Sequence, residues 1–222
     1  MTFSIAWDRL YAANRHMSIW PWSDLVTYVV RYASPTEGFR RVLELGCGAG
    51  ANIPFFIKLD VDYCGIDGSP TIVASLHCSF PELREKIVVG DFTKSIPFDG
   101  PFDYVVDRGS LTCNTTASIR HALRMTFDLL RQDGKLIGID WPSTKHADAS
   151  GGDLLDANTR TNIASRQFAD VGAVHFSDRD HLVGLLTSTG FRVDRLEHKQ
   201  NDVIVPAQIG RSAWWNFVAV KP

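Results

Sequence analysis

The sequence predicts an α/β fold in which helices cover both faces of a mostly parallel sheet. Three observations carry that prediction. From about residue 40 onward, short apolar runs alternate with helical patterns, the sign of buried parallel strands in βαβ units. Each of the first five runs ends at a glycine or an aspartate. The last two runs have no helix between them, so they pair antiparallel and close one edge of the sheet.

Arg41 to Leu45 is the first strand, and glycines end it. Val61 to Ile66 is the second, ended by Asp67 and Gly68; Lys86 to Val89 is the third, ended by Gly90 and Asp91. Phe102 to Val106 stops at Asp107, and Lys135 to Ile139 stops at Asp140. A helix from about Thr116 to Arg131 places Ile119, Leu123, Phe127 and Leu130 at helical spacing, with Gly134 just beyond its end. Another begins at Ser177, where Asp180 completes a capping-box pattern; Leu182, Leu185 and Leu186 form its inner stripe and Gly190 ends it. Phe191 to Leu196 and Ala213 to Val220 are the closing pair.

Two stretches stand outside this alternation. Residues 1–39 are rich in aromatics and read as an N-terminal helical cap, with a helix body from about Ser23 to Tyr32. Residues 40–222 form the main domain. Within it, residues 142–174 are polar and long for a strand-to-helix connection, so they read as an inserted lid or acceptor-choosing segment.

Composition narrows the function. The 222 residues are 45% hydrophobic and 22% charged, which are globular values. A net charge of −2 without a block of like charge gives a nucleic-acid partner no electrostatic support. No apolar run approaches bilayer length, and the N-terminus reaches Asp8 and Arg9 too early for a signal-peptide core. Cys47, Cys64, Cys78 and Cys113 form no CxxC pair and no disulfide framework, so the expectation is reduced thiols in a cytoplasmic protein, monomer or homodimer, without a metal.

The chemistry concentrates after the first strand. Gly46, Gly48 and Gly50 alternate in a turn that lets a ligand approach the backbone before a helix opens. Gly46-x-Gly48-x-x-Ala51 also satisfies a dinucleotide fingerprint, so this signal alone is weak. The acids that follow add to it. Asp67 ends the second strand 21 positions after Gly46, where a carboxylate can accept from a ribose diol. Asp91 and Phe92 border an adenine, while Asp107 and Arg108 stand where a substrate sits. Ligands of open α/β sheets bind outside those strand ends. Glu44, two residues before the turn, opposes a pyrophosphate and suits a cationic ligand.

These residues resemble the class I S-adenosylmethionine-dependent methyltransferases. Val42-Leu43-Glu44-Leu45-Gly46-Cys47-Gly48-Ala49-Gly50 is similar to the family's first motif nearly letter for letter. Tyr63 to Pro70 resembles the second, Gly90-Asp91-Phe92 the third, Phe102 to Asp107 the fourth, and Leu129 to Leu136 the stretch before the fifth strand. The likeness is strong over residues 40–141, rests on topology over 175–220, and does not reach 1–39 or 142–174. It implies a Rossmann-like, seven-stranded sheet with a reversed last strand, and S-adenosylmethionine as the methyl donor. The methionine end then falls to Gly46, Cys47, Gly48 and Glu44, the ribose to Asp67 with Gly68 and Ser69 beside it, and the adenine to Asp91 and Phe92. Asp107 and Arg108 lie near the methyl group and a small polar acceptor, such as a sugar or other metabolite.

Blander readings stand beside these. Cys47 is a small filler of the turn rather than a nucleophile. Arg108 pairs with Asp107 or another strand-end acid. Asp140-Trp141-Pro142 is a capped loop around a buried Trp, or else an acceptor-site element. Trp20-Pro21-Trp22 either walls an acceptor pocket or packs the N-terminal helix. His175, ahead of Phe176 and Ser177, is the leading histidine for a general base alongside Asp107, with a structural role as the alternative; His16 and His146 rank below it. Two other functions stay open: an NAD-dependent oxidoreductase or epimerase, for which the chain offers no Tyr-x-x-x-Lys pair, and a donor-binding subunit without catalysis.

Overall fold

A computed structural model describes residues 3–33, 40–164, 167–206 and 210–222. The division expected between residues 39 and 40 borders residues 34–39, which lie outside the described residues. The chain opens with helices α1 (Phe3–Ala12) and α2 (Ser23–Tyr28), the latter continued by one π-helical turn at Val29–Ala33. Then come β1 (Arg41–Leu45), α3 (Ile53–Lys58), β2 (Asp62–Asp67), α4 (Pro70–Ser79), β3 (Ile87–Val89), β4 (Phe102–Arg108), α5 (Thr116–Leu129) and β5 (Leu130–Pro142). Three short strands follow, β6 (Asp153–Leu154), β7 (Thr159–Thr161) and β8 (Val174–His175). The chain ends with α6 (Arg179–Ser188), β9 (Arg192–Asp202) and β10 (Arg211–Val220).

The main sheet has seven strands in the order β3-β2-β1-β4-β5-β10-β9. β1 runs parallel to β2 and β4, and β4 parallel to β5, whereas β10 is antiparallel to both β5 and β9. The order reverses beside β1, so the carboxyl ends of β1 and β4 flank the crevice where such sheets hold ligands. Strand alternation sorts the core into two layers. Leu43, Leu45, Val105, Leu136 and Phe217 face one layer with α5 and α6. Val42, Tyr104, Val106, Ile137 and Val218 face the other with α2, α3 and α4. Among the described residues, no helix is long and apolar enough to cross a membrane.

Most strands fall where the apolar runs place them; β9 runs on past the expected Leu196 to Asp202, because residues 197–202 pair with Arg211 to Asn216 of β10, and the other differences also have local causes. α5 stops at Leu129 rather than Arg131, because Leu130 adopts extended backbone and buries its side chain by pairing opposite Phe102. β5 is therefore long. Ser177 does not cap α6: Asp178 does, accepting from His181 N at 2.8 Å. The polar connection is not featureless, since β6, β7 and β8 build a small antiparallel sheet. Asp156 ties this sheet to the start of α5, accepting from Thr116 N at 2.8 Å and Thr116 Oγ1 at 3.0 Å. Partial burial opposes ionisation of Asp156, but the amides of Thr116 and Asn158 hold its pKa down at about 2.

Candidate functional site

A cavity of about 570 Å³ opens at the carboxyl ends of β1, β2, β4 and β5. Its inner end is built on the glycine turn. Gly46, Gly48 and Gly50 all have positive φ, +70°, +51° and +81°, which side-chain-bearing residues rarely adopt. The Gly46 amide donates to Ile66 O at 2.8 Å, tying the turn to β2. A Cβ at Gly46 would overlap Ser110, and one at Gly48 would stand 2.9 Å from the Tyr11 hydroxyl.

Two carboxylates border the turn. Asp67 lines the cavity and is 5% exposed. It accepts from Gly48 N and Ser69 N, both at 2.9 Å. Burial raises its pKa above the usual carboxylate value. Glu44 is 2% exposed and accepts from Asn52 Nδ2 and the Tyr63 hydroxyl, each at 2.7 Å. Burial pushes its pKa to about 7; those two hydrogen bonds pull down, and nearby Asp107 and Asp67 push up. Cys47 also lines the wall, and burial drives its thiol pKa far up, which suits a small filler of the turn better than a nucleophile.

The outer end is aromatic. Trp22, Phe168 and Trp214 line it, together with Met17, Val171 and Val174, and Trp7 lines the wall between it and the turn. Its charged element is a pair: Arg108 Nε and Nη2 both lie 3.0 Å from Asp140 Oδ2. Trp22 covers the guanidinium, with Arg108 Cζ 3.4 Å from its ring centroid. Asp140 holds a left-handed φ of +56°, and its amide donates to Asn216 Oδ1 at 2.9 Å. Arg108 thus pairs with a strand-end acid, Asp140 rather than Asp107. Trp22 walls the cavity, while Trp20 is 76% exposed.

The structure brings Glu44, Gly46, Cys47, Gly48, Asp67 and Arg108 into one cavity wall and leaves other expected residues outside it. Gly68 and Ser69 are buried beside Asp67, and the Ser69 hydroxyl donates to Asp8 Oδ1 at 2.5 Å. Phe92 is fully buried beneath the turn. The Asp91 carboxylate is taken up by Thr93 N at 3.1 Å, Thr93 Oγ1 at 2.6 Å and Lys94 at 2.9 Å. Asp107 is fully buried behind the wall: it accepts from Leu111 N at 2.9 Å, Trp141 Nε1 at 2.6 Å and the Ser110 hydroxyl. His175 is fully buried, bonded to Thr159 Oγ1 at 2.9 Å and to His181 Nε2 at 3.1 Å. Burial first, and His181 second, lower its pKa to about 4. His175 thus lies off the cavity wall and joins β8 to α6.

The histidine on the cavity wall is His16, edge-on to Trp7 at 5.1 Å between ring centroids. Burial, then Arg15 and Arg108, lower its pKa. Sequence reasoning ranked it low, because nothing in the aromatic N-terminus says which side chains face inward. It also missed Trp7, Tyr11 and Asn52. One signal was present: Trp7 and Tyr11 stand four residues apart, on one face of a helix.

A family model described as a methyltransferase domain matches residues 42–134. No curated protein matches the chain. Among solved structures, an S-adenosylmethionine-dependent methyltransferase of Methanosarcina mazei superposes with a TM-score of 0.69 at 16% identity, covering 91% of this chain and 98% of that one. An S-adenosylmethionine-dependent methyltransferase of Clostridium acetobutylicum gives 0.62 at 13%, covering 98% and 97%. A donor-bound amino pentose methyltransferase of Micromonospora echinaspora gives 0.62 at 20%, covering 96% and 97%. At these identities the likeness is one of fold.

Proposed function

We propose that this chain, a class I S-adenosylmethionine-dependent methyltransferase, passes the methyl group to a small-molecule acceptor seated in the aromatic end of the cavity. One observation carries the reading. A single cavity joins a side-chain-free turn flanked by two buried carboxylates to a box of aromatic rings with one ion pair. The first half fits the donor and opposes a pyrophosphate, whose negative charges would meet Glu44 beside the turn; Asp67, at the ribose position, suits either ligand. That disfavours the dinucleotide alternative.

When bound, the donor supplies a methyl group already activated on a sulfonium sulfur. The chain's own work is to bind and align. Glu44 faces the ammonium of the methionine end, and Asp67 takes the ribose hydroxyls. Trp22 and Trp214 give a ring-shaped acceptor flat apolar surfaces. Arg108 and Asp140 offer it a donor and an acceptor of hydrogen bonds, which suits a hydroxylated ring such as a sugar. Where the acceptor must shed a proton, His16 is the imidazole on that wall, unprotonated near neutral pH. Residues 1–39 and 142–174 both contribute to the box, which supports treating them as cap and acceptor segment. The net charge of −2 supports no nucleic-acid partner, and the lack of any cysteine pairing among the described residues fits a cytoplasmic site.

Thermal unfolding with S-adenosylhomocysteine tests the donor half. At about a hundredfold excess over Kd, ligand linkage adds ~2.7 kcal/mol. For a chain of this size the midpoint then rises by roughly 5–10 °C. No rise at millimolar ligand overturns the reading.

The pH dependence of that affinity follows from Glu44. A cationic ligand favours the ionised carboxylate. With a free-protein pKa of about 7, binding below pH 7 must first remove a proton. The affinity therefore falls as pH drops from 8 to 6, approaching about tenfold per unit below pH 7. Calorimetry at pH 6, 7 and 8 reads this slope, and Glu44→Gln flattens it. A slope of the opposite sign means that Glu44 does not face the ammonium.

A further inference from the structure

We infer that the N-terminal helix belongs to the donor site itself: Trp7 and Tyr11 donate hydrogen bonds to the carboxylate of the donor's methionine end. This rests on the methyltransferase reading and goes beyond the residues of the sheet and its glycine turn.

Two hydrogen-bond donors of α1 face the cavity. Trp7 and Tyr11 lie four residues apart on α1, so both project from one face. Their rings stand 5.8 Å apart, and both line the cavity. Trp7 Nε1 is buried and makes no geometrically sound hydrogen bond; its nearest acceptor is the weak one of the Cys113 sulfur. Tyr11 is 9% exposed and turns its ring to the same cavity. That hydroxyl rests against Gly48, the middle glycine of the turn. Buried donors in folded proteins are almost always satisfied, so the open Trp7 N–H, with the Tyr11 hydroxyl on the same cavity wall, calls for an acceptor from outside the chain.

The chemistry of that acceptor follows from its surroundings. Asp67 and Glu44 are held by Gly48, Ser69, Asn52 and Tyr63 and do not accept from these donors, so the turn has bound acids on one account and hydrogen-bond donors on the other. A zwitterionic amino-acid end fits this asymmetry, with its ammonium toward Glu44 and its carboxylate toward α1. The helix is also fastened where the donor's middle would lie. Asp8 Oδ1 accepts from the Ser69 hydroxyl at 2.5 Å and from Thr71 N at 3.0 Å, at the start of α4. One turn of α1 thus clamps beside the ribose carboxylate, while its Trp7–Tyr11 face hangs over the glycine turn.

Two ligands separate this role from general packing. S-adenosylhomocysteine carries the amino-acid end, and 5′-methylthioadenosine lacks it. Tyr11→Phe keeps the ring and loses one donor, and Trp7→Phe keeps an aromatic filler without the N–H. Calorimetry is expected to show each variant binding S-adenosylhomocysteine about tenfold or more weakly, with 5′-methylthioadenosine bound as by the unmodified chain. Melting without ligand serves as the check that each variant folds. Unchanged affinity for S-adenosylhomocysteine overturns the inference. An equal loss for both ligands also overturns it, because the helix then acts on the nucleoside or on the fold. If the unmodified chain binds neither ligand, the methyltransferase reading fails before this one is reached.

Discussion

Replacing Asp67 by alanine is expected to weaken S-adenosylhomocysteine binding about 10–150-fold, the loss of a charged hydrogen-bond acceptor worth ~1.5–3 kcal/mol. The size of the effect comes from the geometry. Each Asp67 oxygen accepts one backbone amide, Gly48 on one side and Ser69 on the other, at 2.9 Å. An oxygen of a carboxylate has room for a second bond, so the side chain can take a ribose hydroxyl without giving up the turn. Alanine removes both functions. The Gly48 amide loses its partner, the turn at positive φ keeps only its backbone bonds to Ile66 of β2, and the ribose meets a methyl group. Asp67→Asn separates the two, since its amide oxygen can keep one backbone bond while the charge is gone. We expect its affinity to lie between those of the wild type and Asp67→Ala. Calorimetry gives the three values, and an alanine variant that binds as tightly as wild type removes Asp67 from the ribose.

The difference between what the sequence revealed and what it hid is one of range. β1, β2 and β4 are short, central and apolar on both faces, so pattern alone marks them, and the glycine turn and Asp67 sit at fixed offsets from their ends. Glu44, Gly46, Gly48 and Asp67 were legible for that reason. Asp107 and His175 looked equally promising at strand ends, yet both side chains point into protein. Nothing local shows that Trp141, 34 residues on, delivers an N–H to Asp107, or that His181 meets His175 across a helix turn. The aromatic box was illegible for the same cause. Trp22, Phe168 and Trp214 meet only after the N-terminal helices, the polar connection and β10 have come together. Their spacing in sequence carries no period, and a Trp in such a stretch reads equally well as packing or as wall.

Trp141 shows how the buried layer behind the cavity reaches the turn, and its removal should have the largest effect on stability. It is fully buried, packs edge-on against Phe217 at 5.0 Å, and donates to Asp107 at 2.6 Å. Asp107 in turn accepts from Ser110, whose hydroxyl also reaches Leu45 O at 2.5 Å and whose side chain fills the space beside Gly46. Trp141→Ala leaves a cavity and an under-bonded buried carboxylate. The packing loss alone is about 3–5 kcal/mol, or roughly 6–20 °C in midpoint for this chain length. Trp141→Phe isolates the hydrogen bond, and pH tests it. Burial already raises the Asp107 pKa to about 6, with the Trp141 N–H among the bonds that pull it down. Losing that bond raises it further. A carboxyl whose folded pKa is raised binds its proton more tightly folded than unfolded, so its contribution to stability falls as pH rises through that window. The deficit of Trp141→Phe relative to wild type should therefore be larger at pH 8 than at pH 5. Melting curves at the two pH values decide it, and a deficit that does not change with pH would mean that the N–H of Trp141 does not govern the charge on Asp107.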